Sequence, residues 1–335
     1  MTTLKSFYSG KTILVTGGSG SIGSGVVRML LGLDPASVRV LDVNENGIFN
    51  LVQELHSRRL RPFIGDVRDE KRVMMAVQDA DVVIHAAALK HVPLSEYNPL
   101  EAVNVNIQGT QNVISAAIQA NVGRVINIST DKAVDPINVM GATKMVAERL
   151  ITNAPNYMGG NRNTTLCSVR FGNVLNSSGS VIPLFKGQIR NGGPLTLTSK
   201  KMTRFFLPMR AATEFILNAG TRMEGREIYI PKMPALKIID LAKVLIDEGV
   251  AKHGIDPKSI ELKITGPRPG EKLHEALLTA EEGAAACEEQ DMFVLKHPLP
   301  TESEGQEQTR NRYDSRYADF LDLQQIKDLL ESIGD

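Results

Sequence analysis

The fold of this 335-residue chain is decided by the segment Ile13-Leu14-Val15-Thr16-Gly17-Gly18-Ser19-Gly20-Ser21-Ile22-Gly23. Its apolar run is short enough for a buried parallel strand, and it leads into a glycine-rich turn and an amphipathic stretch at Ser21–Leu31. Strand, turn and helix in this order begin a βαβ unit, in which amides at the helix N-terminus meet a phosphate group. The segment therefore predicts a parallel sheet with an anion site after its first strand.

The same alternation continues to about Phe171. Further strands are predicted at Val38–Leu41, Pro62–Ile64, Val82–Ile84, Val125–Ile128 and Leu166–Val169. Helices are predicted between them at Ile48–Arg58, Lys71–Gln78, Glu101–Ala120 and Gly141–Asn153. This order predicts an α/β protein built on a Rossmann-like, doubly wound parallel sheet.

Beyond Phe171 the alternation stops, and Gly, Ser and Pro become frequent. We therefore predict two domains. Residues 1–172 form a dinucleotide-binding domain, and residues 173–335 form a smaller α/β substrate domain with a C-terminal tail; segments around 205–235 are candidates to add strands to the first sheet. Elements predicted in this second half are helices at Ile238–Asp247, Leu273–Glu282 and Leu323–Ile333, a strand at Ile260–Ile264 and a surface loop at Thr301–Arg312.

Composition excludes several classes of function. The 38 Lys and Arg residues balance 38 Asp and Glu residues, which leaves no excess charge for holding nucleic acid. The segment before the first strand has no apolar core of a signal peptide, and no run of eighteen apolar residues occurs, so we expect a soluble, cytoplasmic protein with no membrane partner.

Cys167 and Cys287 match no metal-ligand spacing, and we expect both to be buried apolar residues. The six histidines likewise predict no metal site.

The glycine turn and the end of the second strand are the main candidates for a cofactor site. The turn offers Gly17, Gly20, Ser21, Ile22 and Gly23 to a pyrophosphate. Asp42 lies 19 residues beyond Gly23, where a carboxylate accepts hydrogen bonds from ribose hydroxyls and repels a 2′-phosphate. Because residues 43–46 contain no arginine, the sequence favours NAD over NADP. The alternative for Asp42 is a solvated loop carboxylate.

Two more segments follow strands at the same predicted edge. Asp66 and Val67 come after the third strand, where they could reach an adenine ring; a plain turn aspartate is the alternative for Asp66. Ala86, Ala87 and Ala88 come after the fourth strand, and their small side chains would let a cofactor lie against the strand ends. Simple close packing is the alternative for these alanines.

Polar groups suited to proton transfer follow the fifth strand. Thr130, Asp131 and Lys132 end this strand, and Lys144 lies in the next helix. The carboxyl ends of parallel strands are where such sheets bind ligands, so these residues are candidates for catalysis. The alternative is a helix cap, in which Thr130 or Asp131 accepts hydrogen bonds from backbone amides.

These motifs resemble the extended short-chain dehydrogenase/reductases and, within them, the nucleotide-sugar 4,6-dehydratases of bacterial polysaccharide and capsule biosynthesis. The resemblance covers roughly residues 10–280, and beyond the glycine turn its blocks are Ala86–Pro93, Ile128–Lys144, Arg170–Leu175, Gly179–Phe185, Met202–Phe206 and Pro267–Glu275. One departure is Met140, which stands four residues before Lys144 where this superfamily usually has a tyrosine. Methionine cannot exchange a proton. Some members of the dehydratase group also carry methionine there.

The resemblance implies a reaction and roles for the catalytic residues. In these enzymes carbon 4 of a UDP- or GDP-linked N-acetylhexosamine is oxidised, water leaves from carbons 5 and 6, and the hydride returns to carbon 6. Lys132 would be the base at carbon 5, which requires a lowered pKa that we expect from burial and from nearby Lys144. Asp131 would be the acid for the leaving hydroxyl, Lys144 would hold the nicotinamide ribose, and Thr130 would bind the 4-hydroxyl. The first proton acceptor stays open between Asp131, Lys144 and an ordered water.

The resemblance also implies substrate contacts and rival functions. Arg204 and Arg268 are candidates for the diphosphate, Glu271 for the ribose, and Lys90, His91, Asn173, Ser180 and Val181 for the rest of the sugar nucleotide. Each could instead be a solvated surface residue. The rivals are a nucleotide-sugar 4-epimerase and a non-catalytic NAD-sensing protein. We also expect a homo-oligomer, paired through the helices at Glu101–Ala120 and Gly141–Asn153.

Overall fold

The computed structural model describes residues 2–156, 163–177, 179–253, 260–296 and 312–332. The α-helices are α1 (Thr2–Tyr8), α2 (Ser21–Leu31), α3 (Glu45–Leu55), α4 (Glu70–Val77), α5 (Val92–Tyr97), α6 (Pro99–Val103), α7 (Gly109–Gln119), α8 (Val139–Asn153), α9 (Val181–Arg190), α10 (Met209–Arg222), α11 (Ile238–His253), α12 (Ala280–Ala285) and α13 (Leu323–Glu331). The strands are β1 (Thr12–Thr16), β2 (Ser37–Asp42), β3 (Leu60–Ile64), β4 (Val82–His85), β5 (Arg124–Thr130), β6 (Thr165–Phe171), β7 (Asn173–Val174), β8 (Leu195–Leu197), β9 (Thr203–Leu207), β10 (Ile228–Pro231), β11 (Ala235–Lys237), β12 (Leu262–Ile264), β13 (Ala276–Leu278), β14 (Cys287–Glu288), β15 (Met292–Leu295) and β16 (Tyr313–Asp314).

The main sheet confirms the predicted Rossmann-like α/β class. Its order is β14-β15-β10-β6-β5-β4-β1-β2-β3, and all neighbours from β10 to β3 run parallel. The chain leaves β1 toward β2 on one side and later returns to β4 on the other. The carboxyl ends of β1 and β4 therefore flank a crevice, the usual ligand position in such sheets.

Strand alternation sends side chains into two separate apolar cores. Ile13 and Val15 of β1 belong to one cluster, whereas Leu14 between them belongs to the cluster on the opposite face. All three are fully buried. A third cluster joins α9, α11 and α13 and includes Phe185, Leu241 and Ile326.

The second half contributes to the main sheet. Strand β10 pairs with β6, β15 runs antiparallel to β10, and β14 pairs antiparallel with β15. The domain boundary at residue 172 stays a prediction. The helix predicted at Ile238–Asp247 is the first part of α11, and the strand predicted at Ile260–Ile264 contains β12. Most of the predicted loop at Thr301–Arg312 lies outside the described residues.

Three expectations are wrong in detail. The helix predicted at Leu273–Glu282 is instead strand β13 followed by α12, because β13 pairs with β16. Cys287 is exposed rather than buried, although Cys167 is buried as expected. The stretch at Glu101–Ala120 is helical, but a π-helical turn at Asn104–Gln108 separates α6 from α7.

Helix α1 has no counterpart in the sequence prediction. Its Leu4 and Tyr8 are buried, and the Tyr8 hydroxyl donates to the Leu217 carbonyl of α10 at 2.9 Å. A Cβ on Gly220 would lie 2.3 Å from that hydroxyl oxygen, so glycine at this position lets α1 pack against α10.

A buried arginine connects the sheet to the C-terminal part of the chain. Arg170 of β6 is 1% exposed and binds Glu148 of α8 through two hydrogen bonds of 3.0 and 2.7 Å. It also binds Glu282 of α12 at 2.8 and 3.0 Å and donates to the Leu277 carbonyl of β13 at 2.9 Å. Such pairing offsets the cost of burying the charges, but only while all partners are present.

Removing Arg170 tests this connection. We expect Arg170→Met to lower the free energy of unfolding by about 3–5 kcal/mol, because it leaves two poorly solvated carboxylates without their cation. The control is Arg210→Met, which removes an exposed arginine paired with Glu214 on α10, and should change stability by less than about 1 kcal/mol. Urea unfolding of both variants measures the difference. Equal, small changes would contradict the role given to Arg170.

Candidate active site

The glycine turn after β1 is shaped by close backbone contacts. Gly17 has φ +64°, and a Cβ there would lie 2.6 Å from backbone atoms of Ala87. A Cβ on Gly23 would lie 2.1 Å from the Gly17 carbonyl oxygen. Both positions exclude a side chain, so the turn lies directly against the end of β4 and the start of α2. Gly20, the N-cap of α2, provides no side-chain cap. The anion site predicted at Gly17, Gly20, Ser21, Ile22 and Gly23 stays a prediction.

Asp42 lies at the end of β2 and is bound to this turn. Its Oδ2 accepts hydrogen bonds from the Ser19 amide at 3.0 Å and the Ser19 hydroxyl at 2.7 Å. Its Oδ1 accepts from the Asn44 amide at 3.0 Å. Asp42 is therefore held at the rim of the crevice rather than free in a solvated loop.

The other candidate cofactor residues follow the carboxyl ends of β4 and β3. Ala86, Ala87 and Ala88 directly follow β4, and the Ala86 amide donates to the Thr16 carbonyl at 3.0 Å. Asp66 follows β3 and accepts two hydrogen bonds from the Arg68 side chain at 2.8 and 2.6 Å. This ion pair lowers the pKa of Asp66 against the opposing effect of burial. Val67 is buried in the core.

Thr130 ends β5 and caps a single turn of 3-10 helix at Asp131–Ala133, which contains Asp131 and Lys132. The Thr130 hydroxyl donates to Asp131 Oδ1 at 2.9 Å and accepts from the Lys132 amide at 3.4 Å, so the capping contact is present beside the predicted site. Asp131 is fully buried, and its Oδ2 has no hydrogen-bond partner among the described residues. A buried carboxylate oxygen without a donor is costly unless a ligand satisfies it.

Lys132 lies between two carboxylates. Its Nζ donates to Asp131 Oδ1 at 2.9 Å and to Asn173 Oδ1 at 3.4 Å, and it lies 3.9 Å from Glu275 Oε1. Burial lowers the pKa of Lys132, but Asp131 and Glu275 outweigh it, so the pKa is raised. The lowered pKa expected from burial and Lys144 is therefore wrong. Lys132 is a cation in this state.

The pKa of Lys144 is shifted in the opposite direction. It is 6% exposed, and its Nζ donates to the Ile128 carbonyl of β5 at 2.6 Å. Burial lowers its pKa to about 8, although the Glu148 carboxylate opposes the shift. Met140, four residues earlier on α8, is buried, and its carbonyl accepts from the Thr143 hydroxyl at 2.8 Å.

The segment at Pro267–Glu275 packs against the loop that follows β5. This loop, named the catalytic turn, runs from Thr130 to Asn138 and carries the candidate catalytic residues other than Lys144. The Asn138 side chain donates through Nδ2 to the Gly270 carbonyl at 2.8 Å, and Lys272 Nζ donates to the Val134 carbonyl at 2.7 Å. Arg204 is buried there and donates to the carbonyls of Thr203, Lys272 and Leu273 at 2.8–3.1 Å. These bonds occupy Nη1 and Nη2 of the guanidinium, so the geometry does not favour the diphosphate contact predicted for Arg204.

The remaining substrate candidates lie in the segment Pro267–Glu275, at the start of α9 and after β4. Glu271 lies 3.9 Å from Arg204 and accepts from the Arg268 amide at 3.1 Å, whereas Arg268 itself is exposed. Ser180 and Val181 begin α9, and the buried Ser180 hydroxyl has no partner within the described part of the chain. His91 is exposed next to Lys90, and a Cβ on Gly179 would lie 2.7 Å from the His91 ring.

Two residues of the site were not predicted. Glu275 is 3% exposed, and its Oε2 also has no hydrogen-bond partner in the described segments. Gly141 begins α8 against the catalytic turn, because a Cβ there would lie 2.3 Å from the Lys132 carbonyl oxygen. Glu275 ends the last block of the sequence resemblance, and this position is the one signal that pointed to it.

Residues 13–297 match the model of a family described as polysaccharide biosynthesis protein. The chain belongs to this family. The match confirms the polysaccharide-biosynthesis resemblance seen in the sequence. The X-ray structure of Pen from Bacillus thuringiensis superimposes with a TM-score of 0.91 at 39% identity, covering 97% of this chain and 98% of that one.

Curated relatives place this polysaccharide biosynthesis protein among nucleotide-sugar dehydratases and epimerases. It is 51% identical to an uncharacterized membrane protein of Methanocaldococcus jannaschii over 99% of this chain and 98% of that one. It is 40% identical to a UDP-N-acetylglucosamine 4,6-dehydratase (inverting) of Campylobacter jejuni, covering 86% and 83%. It is 38% identical to a UDP-glucose 4-epimerase of Rickettsia rickettsii, covering 96% and 95%.

In the residues that the structure describes, no helix has both the length and the apolar character needed to cross a bilayer. The same residues contain no cluster of three or more His, Cys, Asp or Glu side chains suited to a metal ion.

The glycine turn yields a direct test. Gly17→Ala should destabilise the chain by about 1–3 kcal/mol and remove any dinucleotide that purifies with it, because the new Cβ collides with the β4 end at a positive φ. The control is Gly187→Ala in α9, where a Cβ meets nothing within 4 Å; it should leave stability unchanged or raise it by up to about 1 kcal/mol. Thermal unfolding and absorbance of the extracted cofactor measure both effects. Wild-type stability and cofactor content in Gly17→Ala would contradict this account.

Proposed function

We propose that this protein is a 4,6-dehydratase acting on UDP- or GDP-linked N-acetylglucosamine. The observation that carries the proposal is the adjacent acid and amine at the end of β5. Asp131 has a buried, unpartnered Oδ2, and Lys132 lies 2.9 Å from its other oxygen. A dehydration needs two proton transfers more than a simple oxidation does, and these residues supply groups for them. The 40% identity to the Campylobacter enzyme supports the same conclusion.

The crevice between β1 and β4 fits a dinucleotide. A bound nicotinamide would supply the acceptor and donor for hydride. The glycine turn offers amides to a pyrophosphate, and Asp42 offers oxygens to ribose hydroxyls. A 2′-phosphate beside the Asp42 carboxylate would be repelled, and residues 43–46 supply no arginine to offset this, so we propose NAD rather than NADP.

The site residues divide the proton transfers between them. Asp131 Oδ2 is available to take the proton of the 4-hydroxyl, and Thr130, which shares Asp131 Oδ1, would orient that hydroxyl. Asp131 would later return this proton to the leaving 6-hydroxyl. Lys132 would remove the carbon 5 proton once it has lost its own, and it would return that proton to carbon 5 when the hydride adds to carbon 6. Lys144, buried and with a pKa of about 8, would hold the nicotinamide ribose and lower the pKa of the 4-hydroxyl when charged.

Substrate contacts follow from the surfaces beside this turn. The exposed Arg268 has no ion pair with the described residues and is the stronger candidate for the diphosphate. The α9 N-terminus, with the unpartnered Ser180 hydroxyl, offers amides and a donor to a phosphate or sugar oxygen. Glu271 would bind the ribose, with Lys90, His91 and Asn173 near the sugar. Pairing of α6, α7 and α8 between subunits, and therefore a homo-oligomer, is part of the same proposal.

A 4-epimerase is the second candidate, supported by the 38% identity to the Rickettsia protein. An epimerase removes and returns hydride at carbon 4, so it depends on a proton carrier for the 4-hydroxyl. Met140 cannot serve as this carrier, and the pair Asp131 and Lys132 exceeds what an epimerase requires. These two features favour the dehydratase.

Incubation with UDP-N-acetylglucosamine and, separately, GDP-N-acetylglucosamine tests the proposal by mass spectrometry. We expect a product lighter by one water with no net change in bound or added NAD. A product of unchanged mass that differs in chromatography would show the epimerase instead. No change with either sugar nucleotide would contradict both enzymes and favour a cofactor-sensing protein.

The Asp131→Asn variant tests the assignment of the acid. It should lower kcat at least about 100-fold, because the amide can neither accept nor deliver the proton. Asp135→Asn is the matched control, since Asp135 lies on the same loop but pairs with Arg312 at 2.6 Å; it should keep wild-type turnover. Near-normal turnover in Asp131→Asn would contradict the role of Asp131.

A further inference from the structure

We propose that Glu275 is a positioning residue for Lys132, holding its ammonium group between two carboxylates that come from opposite halves of the chain. The inference rests on the proposed dehydratase function only where it concerns turnover. Glu275 Oε1 lies 3.9 Å from Lys132 Nζ, which also donates a direct hydrogen bond to Asp131 Oδ1 at 2.9 Å. The Lys132 side chain is 23% exposed and the Glu275 side chain 3%.

The backbone of Glu275 is fixed independently of this contact. Its amide donates to the Ser315 hydroxyl at 3.0 Å, and its carbonyl accepts from the Ser315 amide at 2.8 Å. Strand β13 follows directly and pairs with β16. The carboxylate therefore has a rigid base, and its distance to Lys132 is set by the fold rather than by the ion pair.

Two further cations face Glu275 from other elements. Arg204 Nη2 of β9 lies 3.9 Å from Oε1, and Lys272 Nζ lies 3.9 Å from Oε2. Arg204 and Lys272 are themselves bound to backbone carbonyls. No hydrogen bond to Oε2 is present within the described segments, so the carboxylate is held by charge rather than by donors. The Glu275 carboxylate thus lies 3.9 Å from each of three cations, of which Lys132 has the most exposed side chain. Its negative charge favours the protonated form of Lys132.

The charges around Lys132 fix the sign of the effect. Asp131 and Glu275 favour its ammonium form, while burial and Arg204 oppose it. If Lys132 takes the carbon 5 proton, the acid limb of kcat against pH reports the loss of its own proton. Removing the charge of Glu275 lowers the pKa of Lys132. The acid limb of kcat therefore moves to lower pH.

The test uses Glu275→Gln, which keeps shape and removes charge. We expect its acid limb of kcat to lie about one pH unit or more below that of the wild type, with little change in KM. The titration of Lys132 is followed without turnover by NMR of lysine labelled with ¹³C at Cε, with the signal identified by its absence in Lys132→Met. The Lys132 midpoint should fall by the same amount in Glu275→Gln.

The control is Glu227→Gln. Glu227 is also buried, but it accepts from the amides of Glu224 and Gly225 just before β10, at the opposite edge of the sheet from the site. This variant should leave the Lys132 titration and the pH profile unchanged. A Lys132 midpoint in Glu275→Gln equal to the wild-type one would overturn the proposal, as would equal shifts in both variants.

Two outcomes separate this inference from the proposed function. If the wild type dehydrates no sugar nucleotide, the proposed function fails, but the NMR titration still tests Glu275. If Glu275→Gln does not fold, the wild-type titration decides, because a Lys132 midpoint at or below the ordinary lysine value of about 10.4 overturns the inference.

Discussion

The site depends on a buried cluster of opposite charges where the two halves of the chain meet. Asp131 and Lys132 come from the end of β5, whereas Arg204, Lys272 and Glu275 come from segments after residue 200. Buried charges are tolerated only when they are paired, so removing the charges of one half would leave those of the other buried without partners, at a large cost in stability. Arg170 repeats this principle deeper in the sheet, where it joins Glu148 to Glu282. Together they fix the catalytic turn against the C-terminal segment.

The same constraint explains why the pKa values of Lys132 and Lys144 shift in opposite directions. Lys144 is buried with its ammonium on a carbonyl and with Glu148 as its one charged influence, so burial prevails and its pKa falls to about 8. Lys132 is more exposed and lies between two carboxylates, so attraction prevails. The pKa of Lys132 is therefore raised, whereas that of Lys144 is lowered.

Much of the sheet could be predicted because its strands are short apolar runs separated by amphipathic helices. Elements that depend on distant partners could not. Residues 276–278 have good local helix propensity, but pairing with Tyr313–Asp314 makes them a strand. Helix α1 offers few apolar positions, and its burial depends on Gly220 of α10. The adjacency of Asp131 and Lys132 is visible in the sequence, whereas Glu275 reaches Lys132 only through the fold. For this reason the direction of the Lys132 pKa shift was mispredicted.

The bond between Asp42 and Ser19 has a consequence for ligand affinity. Under the proposed function, every hydrogen bond from a ribose hydroxyl to Asp42 Oδ2 would have to share that oxygen with, or displace, a donor from the glycine turn. Binding at this point is therefore an exchange of partners rather than a net gain of bonds, and exchanges contribute little free energy. The Asp42 carboxylate would then contribute mainly to specificity. It would strongly disfavour a ribose that carries a 2′-phosphate, and it would add little binding free energy for an unmodified ribose.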